Sequence, residues 1–120
     1  MDLIKRENHI IDATDKVLGR LATQVVVLLR GKSKVGFAPY KDIGDFVTVK
    51  NVDKLKFTGK KFTDKIYYHH TLYLGGLKKT TMKEIKDKKG TSEIFRKAVM
   101  GMLTKNKLRA KQIKRLRCEK

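Results

Sequence analysis

The spacing of apolar residues in the first third of the chain predicts a strand followed by a helix. Residues 9–13 form a short apolar run, and the side chains of residues 12–15 can cap a helix that starts near Lys16. The next apolar positions recur with the i, i+3, i+4, i+7 spacing of one helix face and are Leu18, Leu21, Ala22, Val25, Leu28 and Leu29. Gly31 stands where a left-handed residue would end this helix, which we expect to pack against a sheet.

Three further segments have the residue pattern of β-strands. Residues 46–49 are β-rich and apolar, residues 54–58 alternate basic and apolar side chains, and residues 65–71 include adjacent tyrosines and histidines. Alternation is typical of a half-exposed strand, in which successive side chains point to opposite faces. Because strands and helices alternate in the first half of the chain, we favour an α/β domain with a partly parallel sheet over an all-helical fold.

The second half of the chain has mainly helical patterns. Thr81 and Glu84 have the spacing of a capping box, which predicts a helix start. A second helix is predicted after Ser92, where one apolar stripe is formed by Ile94, Phe95, Ala98, Val99, Met102 and Leu103. Because the sequence has no repeat and no linker-like segment, we expect residues 1–120 to form one domain, with an α/β core over 1–103 and a basic C-terminal helix or tail over 104–120.

The charge of the chain indicates a class of protein that the α/β pattern alone does not, namely one that binds a polyanion. The 120 residues hold 30 lysines and arginines against 12 acids, a formal net charge of +18. Residues 1–53 contribute +2 (9 basic, 7 acidic), whereas residues 54–90 (11 and 3) and 91–120 (10 and 2) contribute +8 each. Because such a charge opposes compaction, we expect the protein to bind a polyanion that neutralises it.

Cysteine usage and hydropathy argue against several other classes. Cys118 is the single cysteine, so a disulfide scaffold is not indicated and a reducing compartment is expected. The longest aliphatic run, residues 25–29, is far shorter than the roughly 20 residues of a membrane helix, and no membrane partner is expected. Residues 1–7 have the composition of neither a secretory signal nor a transit peptide, so no export signal is predicted.

The basic stretch at residues 105–117 is the most specific physical signal in the chain. It holds 7 cations in 13 residues, interleaved with apolar residues and without an acid to pair with them. A charge run is usually a solvated face, but clustered cations without acidic neighbours are the electrostatic pattern of phosphate binding. We therefore predict phosphate contacts for Lys105, Lys107, Arg109, Lys111, Lys114, Arg115 and Arg117.

Two lysine pairs extend this basic pattern across predicted turns. Lys60 and Lys61 follow a Thr-Gly pair, and Lys78 and Lys79 come shortly after the two glycines at residues 75–76. Glycine lets a backbone approach another molecule closely. Both pairs are therefore predicted to contact nucleic acid.

A third basic group follows the first predicted helix and is predicted to contact phosphate. Arg30, Lys32 and Lys34 lie at the exit of that helix, in a run similar to the end of a nucleotide-binding P-loop. The P-loop needs a glycine where Val26 stands, and it precedes a helix instead of following one. A basic helix-exit loop is therefore the better interpretation.

Adjacent histidines offer little support for a metal site. His69 and His70 would point to opposite faces of a strand, and His9 and Cys118 are the only other soft ligands. A structural zinc site is therefore not indicated, and no cofactor is expected. Two interpretations stay open: one imidazole is packed and the other is merely exposed, or the exposed ring, taken as His70, forms a hydrogen bond with RNA or stacks on it.

The sequence contains no clear set of catalytic residues. The acids that could take part lie at predicted turns and caps, and they include Asp12, Asp15, Asp42 and Asp45. An RNA-modifying or RNA-cleaving enzyme would need a second group beside His69 or His70. We therefore expect no enzyme, and we keep that class and a DNA-binding α/β module as alternatives.

Eight short strings occur in the order and spacing of one known family. They are residues 11–14 (IDAT), 18–22 (LGRLA), 29–32 (LRGK), 44–47 (GDFV), 58–61 (TGKK), 64–70 (DKIYYHH), 75–76 (GG) and 98–103 (AVMGML). Together they resemble the universal large-subunit ribosomal protein thirteen family in its bacterial form, over roughly residues 9–108. The chain departs from the family pattern at His9, Thr104 and Arg109, where tryptophan, proline and glycine are usual, and the family's C-terminal contacts are not carried over.

The resemblance implies both a fold and a function. The implied fold has three layers, α/β/α, around a four-stranded, mainly parallel sheet, with a basic C-terminal helix. The implied function is direct binding to large-subunit ribosomal RNA beside neighbouring large-subunit proteins, with a part in early subunit assembly and translation. We expect the protein in a cytoplasmic ribosome, with an organellar ribosome as the alternative, and we expect no small-molecule substrate.

Overall fold

The computed structural model describes residues 6–119 and contains two separate sheets with helices packed around them. We number the elements in chain order. They are β1 (Asn8–Asp12), α1 (Leu18–Arg30), β2 (Phe46–Lys50), a 3-10 turn (Val52–Lys54), α2 (Lys61–Asp64), β3 (Ile66–His70), β4 (Leu77–Thr81), α3 (Met82–Lys89), α4 (Thr91–Met102), α5 (Leu108–Lys114) and β5 (Leu116–Cys118).

The larger sheet is parallel and has three strands in the order β1-β2-β5. Val47 of the central strand pairs with His9 on one side and Leu116 on the other. Strands β3 and β4 form a separate antiparallel pair. The expected α/β class with parallel pairing is confirmed, but the expected four-stranded sheet is wrong.

Residues 54–58, which were predicted as a strand, do not join the parallel sheet. Asn51 adopts a left-handed conformation (φ 60°), and the 3-10 turn at Val52–Lys54 then carries the chain out of the line of the sheet. Within this segment, Lys56 forms one isolated parallel β-bridge, with Val17. The alternating pattern therefore predicted correctly which side chains of this segment are exposed and which are buried or half-buried, but it did not predict the loss of sheet pairing.

Helices cover one face of the parallel sheet. Val47 and Val49 point into the main core, where they meet the buried faces of α1, α4 and α5. On the opposite face, Ile10 is 62% exposed and Phe46 is 47% exposed. Within residues 6–119 the sheet and its helices form two layers, so the second helical layer of the expected three-layer fold is not seen.

Helix α1 ends where its sequence predicts but begins without the expected cap. Gly31 is left-handed (φ 76°), and the N–H groups of Gly31 and Lys32 bond the carbonyls of Leu28 and Val27. Val17 is the N-cap residue and provides no side-chain bond. The predicted capping side chains instead tie down the preceding turn.

Asp12 is the centre of that turn. Its Oδ1 accepts hydrogen bonds from Asn51 Nδ2 at 3.0 Å, from the backbone N–H of Thr14 at 3.0 Å and from the hydroxyl of Thr14 at 2.7 Å. These bonds lower the pKa of Asp12 to about 2, that from Asn51 most of all. The end of β1 is thereby joined to the end of β2.

The two long helices of the second half form as their patterns predict. The hydroxyl of Thr81 accepts a hydrogen bond from the N–H of Glu84 at 3.3 Å, which caps α3. In α4, Ile94, Phe95 and Val99 are fully buried. Leu103, the predicted end of the apolar stripe, is buried, whereas Met102 beside it is 44% exposed.

The C-terminal basic helix is shorter than expected. Helix α5 covers Leu108–Lys114, and the next residues form β5, which pairs in parallel with β2. Leu116 and Cys118 are half-buried and Arg117 is exposed, which is the two-residue alternation of a strand. The end of the basic stretch is therefore part of the sheet.

Gly44 is the position where the fold least tolerates a side chain. A Cβ on Gly44 would overlap the carbonyl oxygen of Leu29 at the end of α1. We expect Gly44→Ala to lower the free energy of unfolding by about 3 kcal/mol, because the backbone of α1 cannot move aside without losing core contacts. Chemical denaturation measures this, with Gly36→Ala as the control, since a Cβ there meets nothing within 4 Å. Equal stability of the two variants would contradict the packing described.

Candidate nucleic-acid interface

The β3–β4 hairpin presents cations and aromatic rings together. Tyr68 pairs across the two strands with Lys79, and the Lys79 ammonium lies 6.0 Å from the centre of the Tyr68 ring. His69 pairs with Lys78, and all four side chains are exposed. The two lysines lie in a strand and not in the expected turn, so they point to opposite faces of the hairpin. Both faces of the hairpin are therefore basic.

The loop that joins β3 to β4 is held in one conformation. The N–H of Leu72 donates to His70 Nδ1 at 2.9 Å, and the N–H of Thr71 donates to the Gly76 carbonyl at 3.0 Å. Leu72 has a left-handed backbone (φ 73°) although it is 92% exposed. His70 therefore supports the loop through one ring nitrogen, and its exposed ring retains Nε2 for another partner.

Lys60 and Lys61 lie beside this hairpin. Both are exposed at the start of α2, which packs against α3 and β4. We call α2, β3, β4 and α3, residues 61–89, the hairpin lobe. A small core of Met82, Ile85 and Ile94 supports it, with Phe57, Phe62 and Tyr67 half-buried around that core. Its lysines are thus held on folded structure.

A second basic region surrounds α5. The exposed cations of this region are Lys32, Lys105, Lys107, Lys111, Lys114 and Arg117. Arg109 is half-buried, and Arg30 is half-buried with its guanidinium 5.6 Å from the Phe37 ring centre. Because α5 packs on α1 and α4, the predicted helix-exit cations and the predicted C-terminal cations meet in one part of the surface.

Arg115 points inward, unlike its neighbours. Its Nη1 donates to Asp42 Oδ2 at 3.0 Å, its Nη2 lies 2.7 Å from Asp42 Oδ1, and Nη2 also donates to the Leu29 carbonyl at 2.8 Å. Only 8% of the residue is exposed. We therefore assign Arg115 to the fold and leave it out of the exposed basic surface.

Lys34 is also used inside the protein. Its ammonium lies 2.7 Å from Asp45 Oδ1 and 2.6 Å from the Ile43 carbonyl. Asp42 and Asp45 flank residues 43–44, and we call residues 42–45 the acidic loop. Apart from Lys34, the side chains that contact these two acids lie far away in the sequence, at separations of 36 to 73 residues, so the local sequence gave no signal of the pairing.

Asp45 is the most heavily engaged acid in this loop. Burial raises its pKa, but contacts from Lys34, from His9 and from the N–H of Glu7 outweigh burial and hold the pKa below its ordinary value of 3.8. His9 Nε2 lies 2.8 Å from Asp45 Oδ2, and the Glu7 N–H donates to Oδ1 at 3.1 Å. These contacts therefore stabilise the ionised form of Asp45 in the folded protein.

Glu7, His9 and Asp45 lie close enough to hold a metal ion in principle, with ligand atoms within 4.8 Å of one another. The Lys34 ammonium already neutralises Asp45, and His9 occupies its other oxygen. A divalent cation would have to displace both. The donor set therefore fits an ion-pair network better than a metal site.

Cys118 and the two hairpin histidines offer little nucleophilic or acid–base chemistry. Burial raises the pKa of Cys118 to about 11, although Arg96 acts in the opposite direction, so the thiol is protonated at neutral pH. His69 and His70 are exposed, and His70 Nδ1 is taken by the backbone of Leu72. No carboxylate lies within ion-pairing distance of either ring among residues 6–119.

These features define a small, basic α/β protein with clusters of exposed cations on a hairpin lobe and around the helix α5. Within residues 6–119 every helix is too short or too polar to cross a membrane. A family model described as Ribosomal protein L13 matches residues 6–119. The chain belongs to the ribosomal protein L13 family, in its bacterial form.

Individual relatives support the same assignment. A protein named Large ribosomal subunit protein uL13 from Desulfotalea psychrophila is 48% identical over 114 residues, which cover 95% of this chain and 80% of the relative. Proteins of the same name from Kocuria rhizophila and Clostridioides difficile are 50% and 47% identical over 95% of this chain and 77% and 79% of theirs. The family resemblance found in the sequence is thereby confirmed.

We expect Arg115 and Lys111 to behave differently when each is replaced by methionine. Arg115→Met leaves the half-buried Asp42 without its main partner and should lower the free energy of unfolding by about 3 kcal/mol. Lys111→Met changes an exposed side chain and should stay within about 0.5 kcal/mol of the parent. Urea denaturation of both variants decides between these roles, and an unchanged stability for Arg115→Met would show that the ion pair does not hold the fold.

Asp45 should make stability depend on acid pH. Because its folded pKa is lowered, the carboxylate stabilises the fold above its unfolded pKa of about 4, and this contribution disappears as the pH falls through the folded value. We expect Asp45→Asn to be less stable at pH 7 and to lose less stability between about pH 5 and pH 3 than the parent. Asp87→Asn, which removes an exposed acid of α3, is the control for a general charge effect. An identical acid profile for the parent and Asp45→Asn would refute the pairing.

Proposed function

We propose that this protein is a structural constituent of the large ribosomal subunit that binds large-subunit ribosomal RNA directly and supports early subunit assembly and translation. Membership of the L13 family supports a place in the large subunit. We also propose that the chain acts as one domain and that it works in a cytoplasmic ribosome beside other large-subunit proteins. It has no catalytic role in this proposal.

One observation carries the RNA-binding part of the proposal. Between described residues, Arg6, Lys34 and Arg115 form ion pairs, and each does so with Asp42 or Asp45. The lysines of the hairpin lobe and of α5 form no ion pair within residues 6–119. Clustered cations without partners repel one another, and RNA phosphates would remove that cost.

The proposed contacts follow from exposure and position. We assign them to Arg30, Lys32, Lys60, Lys61, His70, Lys78, Lys79, Lys105, Lys107, Arg109, Lys111, Lys114 and Arg117. Phosphate contacts place a protein on RNA without selecting a base, whereas folded RNA is recognised largely by shape. The flat outline of the protein, 49 × 38 × 20 Å, suits binding against an RNA surface.

Neutralising the hairpin should weaken RNA binding. We expect Lys78→Gln with Lys79→Gln to lower affinity for large-subunit ribosomal RNA and to reduce the slope of log K against log salt by about 2, one for each lost phosphate contact. The control is Lys41→Gln with Lys50→Gln, which removes the same charge from exposed residues of the weakly charged first part of the chain. Filter binding between about 50 and 200 mM salt measures both effects.

Three results would count against the proposal. Equal losses in the two double variants would mean that net charge matters and the hairpin does not. Failure of the parent protein to co-sediment with large subunits at stoichiometric occupancy, or equal affinity for duplex DNA, would reject the proposed function itself.

A further inference from the structure

A cleft opens between the start of α1 and the end of α4, with a volume of about 290 Å³. Residues 56–65, which lead from the 3-10 turn into α2 and β3, form its third side. Its floor is apolar and is formed by Leu18, Phe57, Met82, Ala98 and Met102. We call it the α1–α4 cleft.

Four lysines line the rim of this cleft: Lys56, Lys61, Lys65 and Lys97. The ammonium groups of Lys65 and Lys97 lie 5.4 Å and 5.7 Å from the centre of one ring, that of Tyr67. None of the four forms an ion pair within residues 6–119, and no acid lines the cleft. The rim is therefore suited to an anion.

Two helical glycines keep the cleft open. Gly19 of α1 and Gly101 of α4 line it, and a Cβ added to either would meet nothing within 4 Å. Neither has a positive φ, so the backbone does not require glycine there. Glycine inside a helix costs about 1 kcal/mol relative to alanine. Because nothing in the described chain needs these positions to be bare, they leave room for another molecule.

The apolar floor narrows the chemical class of that molecule. A bare phosphate would be satisfied by lysines alone and would gain nothing from Phe57 or the methionines. A nucleotide has both parts, because its flat base can lie on apolar and aromatic side chains while its phosphate meets ammonium groups. Unpaired nucleotides are the parts of RNA whose bases can leave the stack in this way.

We infer that the α1–α4 cleft binds an unpaired nucleotide of the RNA, with the base on the apolar floor and the flanking phosphates on the lysine rim. This inference rests on the proposed function and adds a defined base-binding site to a surface otherwise assigned to phosphate contacts. The hairpin lobe and α5 place the RNA, and the cleft receives one base from it.

Filling the cleft tests the inference without harming the fold. A Cβ at Gly101 meets nothing within 4 Å, and the substitution removes a helical glycine, so we expect Gly101→Leu to be at least as stable as the parent. We expect it to bind large-subunit ribosomal RNA about tenfold more weakly, as expected for the loss of one stacked base. Gln24→Leu is the matched control, because it adds the same side chain to an exposed position of α1 outside the cleft. Its affinity should equal that of the parent.

Methionine methyl signals provide a direct readout on the full-length protein. Met82 and Met102 line the cleft, whereas Met100 packs against the main core. Titration with adenosine monophosphate should shift the methyl signals of Met82 and Met102 and leave Met100 in place. Ribose 5-phosphate should shift them less, and Gly101→Leu should abolish the response.

The outcomes separate this inference from the proposed function. If Gly101→Leu binds ribosomal RNA as well as the parent does, the cleft does not hold a base, although RNA binding by the protein stands. Shifts of equal size with ribose 5-phosphate would assign the cleft to phosphate alone and overturn the inference. Normal RNA binding by Gly101→Leu with failed incorporation into large subunits would assign the cleft to a protein segment instead. If the parent does not bind ribosomal RNA, both proposals fall.

Discussion

The buried guanidinium of Arg115 is the interaction on which the arrangement of the two halves of the chain depends. It bonds Asp42 and the Leu29 carbonyl, and so joins the end of α5 to the acidic loop and to the end of α1. Its backbone carbonyl also accepts the N–H of Val47, which begins the pairing of β5 with β2. Side chain and backbone thus hold the C-terminal segment at the same place. A buried pair of this kind is costly to break, because the remaining partner stays uncompensated.

The ion pair between Arg115 and Asp42 explains how a chain with a formal net charge of +18 can fold and still expose positive charge to a partner. The acidic loop supplies two buried or half-buried carboxylates, and the cations that contact them come from the start of the chain, from the exit of α1 and from the end of α5. Acids are concentrated in the first part of the sequence and serve the fold. The lysines of the hairpin lobe and of α5 then have few acids nearby, and their charge stays available to a polyanion.

Local patterns predicted the elements that depend on local chemistry. Strand β1, helix α1 with its Gly31 end, strand β2, the Thr81 cap and helix α4 all lie within a few residues of their predicted places. The predictions that failed concern segments whose structure depends on residues distant in the sequence. Residues 54–58 alternate like a strand, but the left-handed turn at Asn51 removes them from the sheet. Strand β5 is three residues long and exists because β2 lies beside it.

The candidate surface shows the same limit. The clustering of cations in the sequence correctly predicted that most of them are exposed. The inward direction of Arg115 and Lys34 depends instead on acids that the fold brings near them. No pattern in the sequence predicted the α1–α4 cleft, because its glycines and lysines come from separate segments of the chain.

Ultraviolet cross-linking of intact large subunits that contain this protein tests the central claim most directly. The claim is that the hairpin lobe and the α5 region face RNA while the acidic loop holds the fold. We predict RNA cross-links on peptides from residues 60–89 and 105–117, and none on residues 42–45. Cross-links confined to the first 53 residues, or absence of the protein from purified large subunits, would contradict the claim.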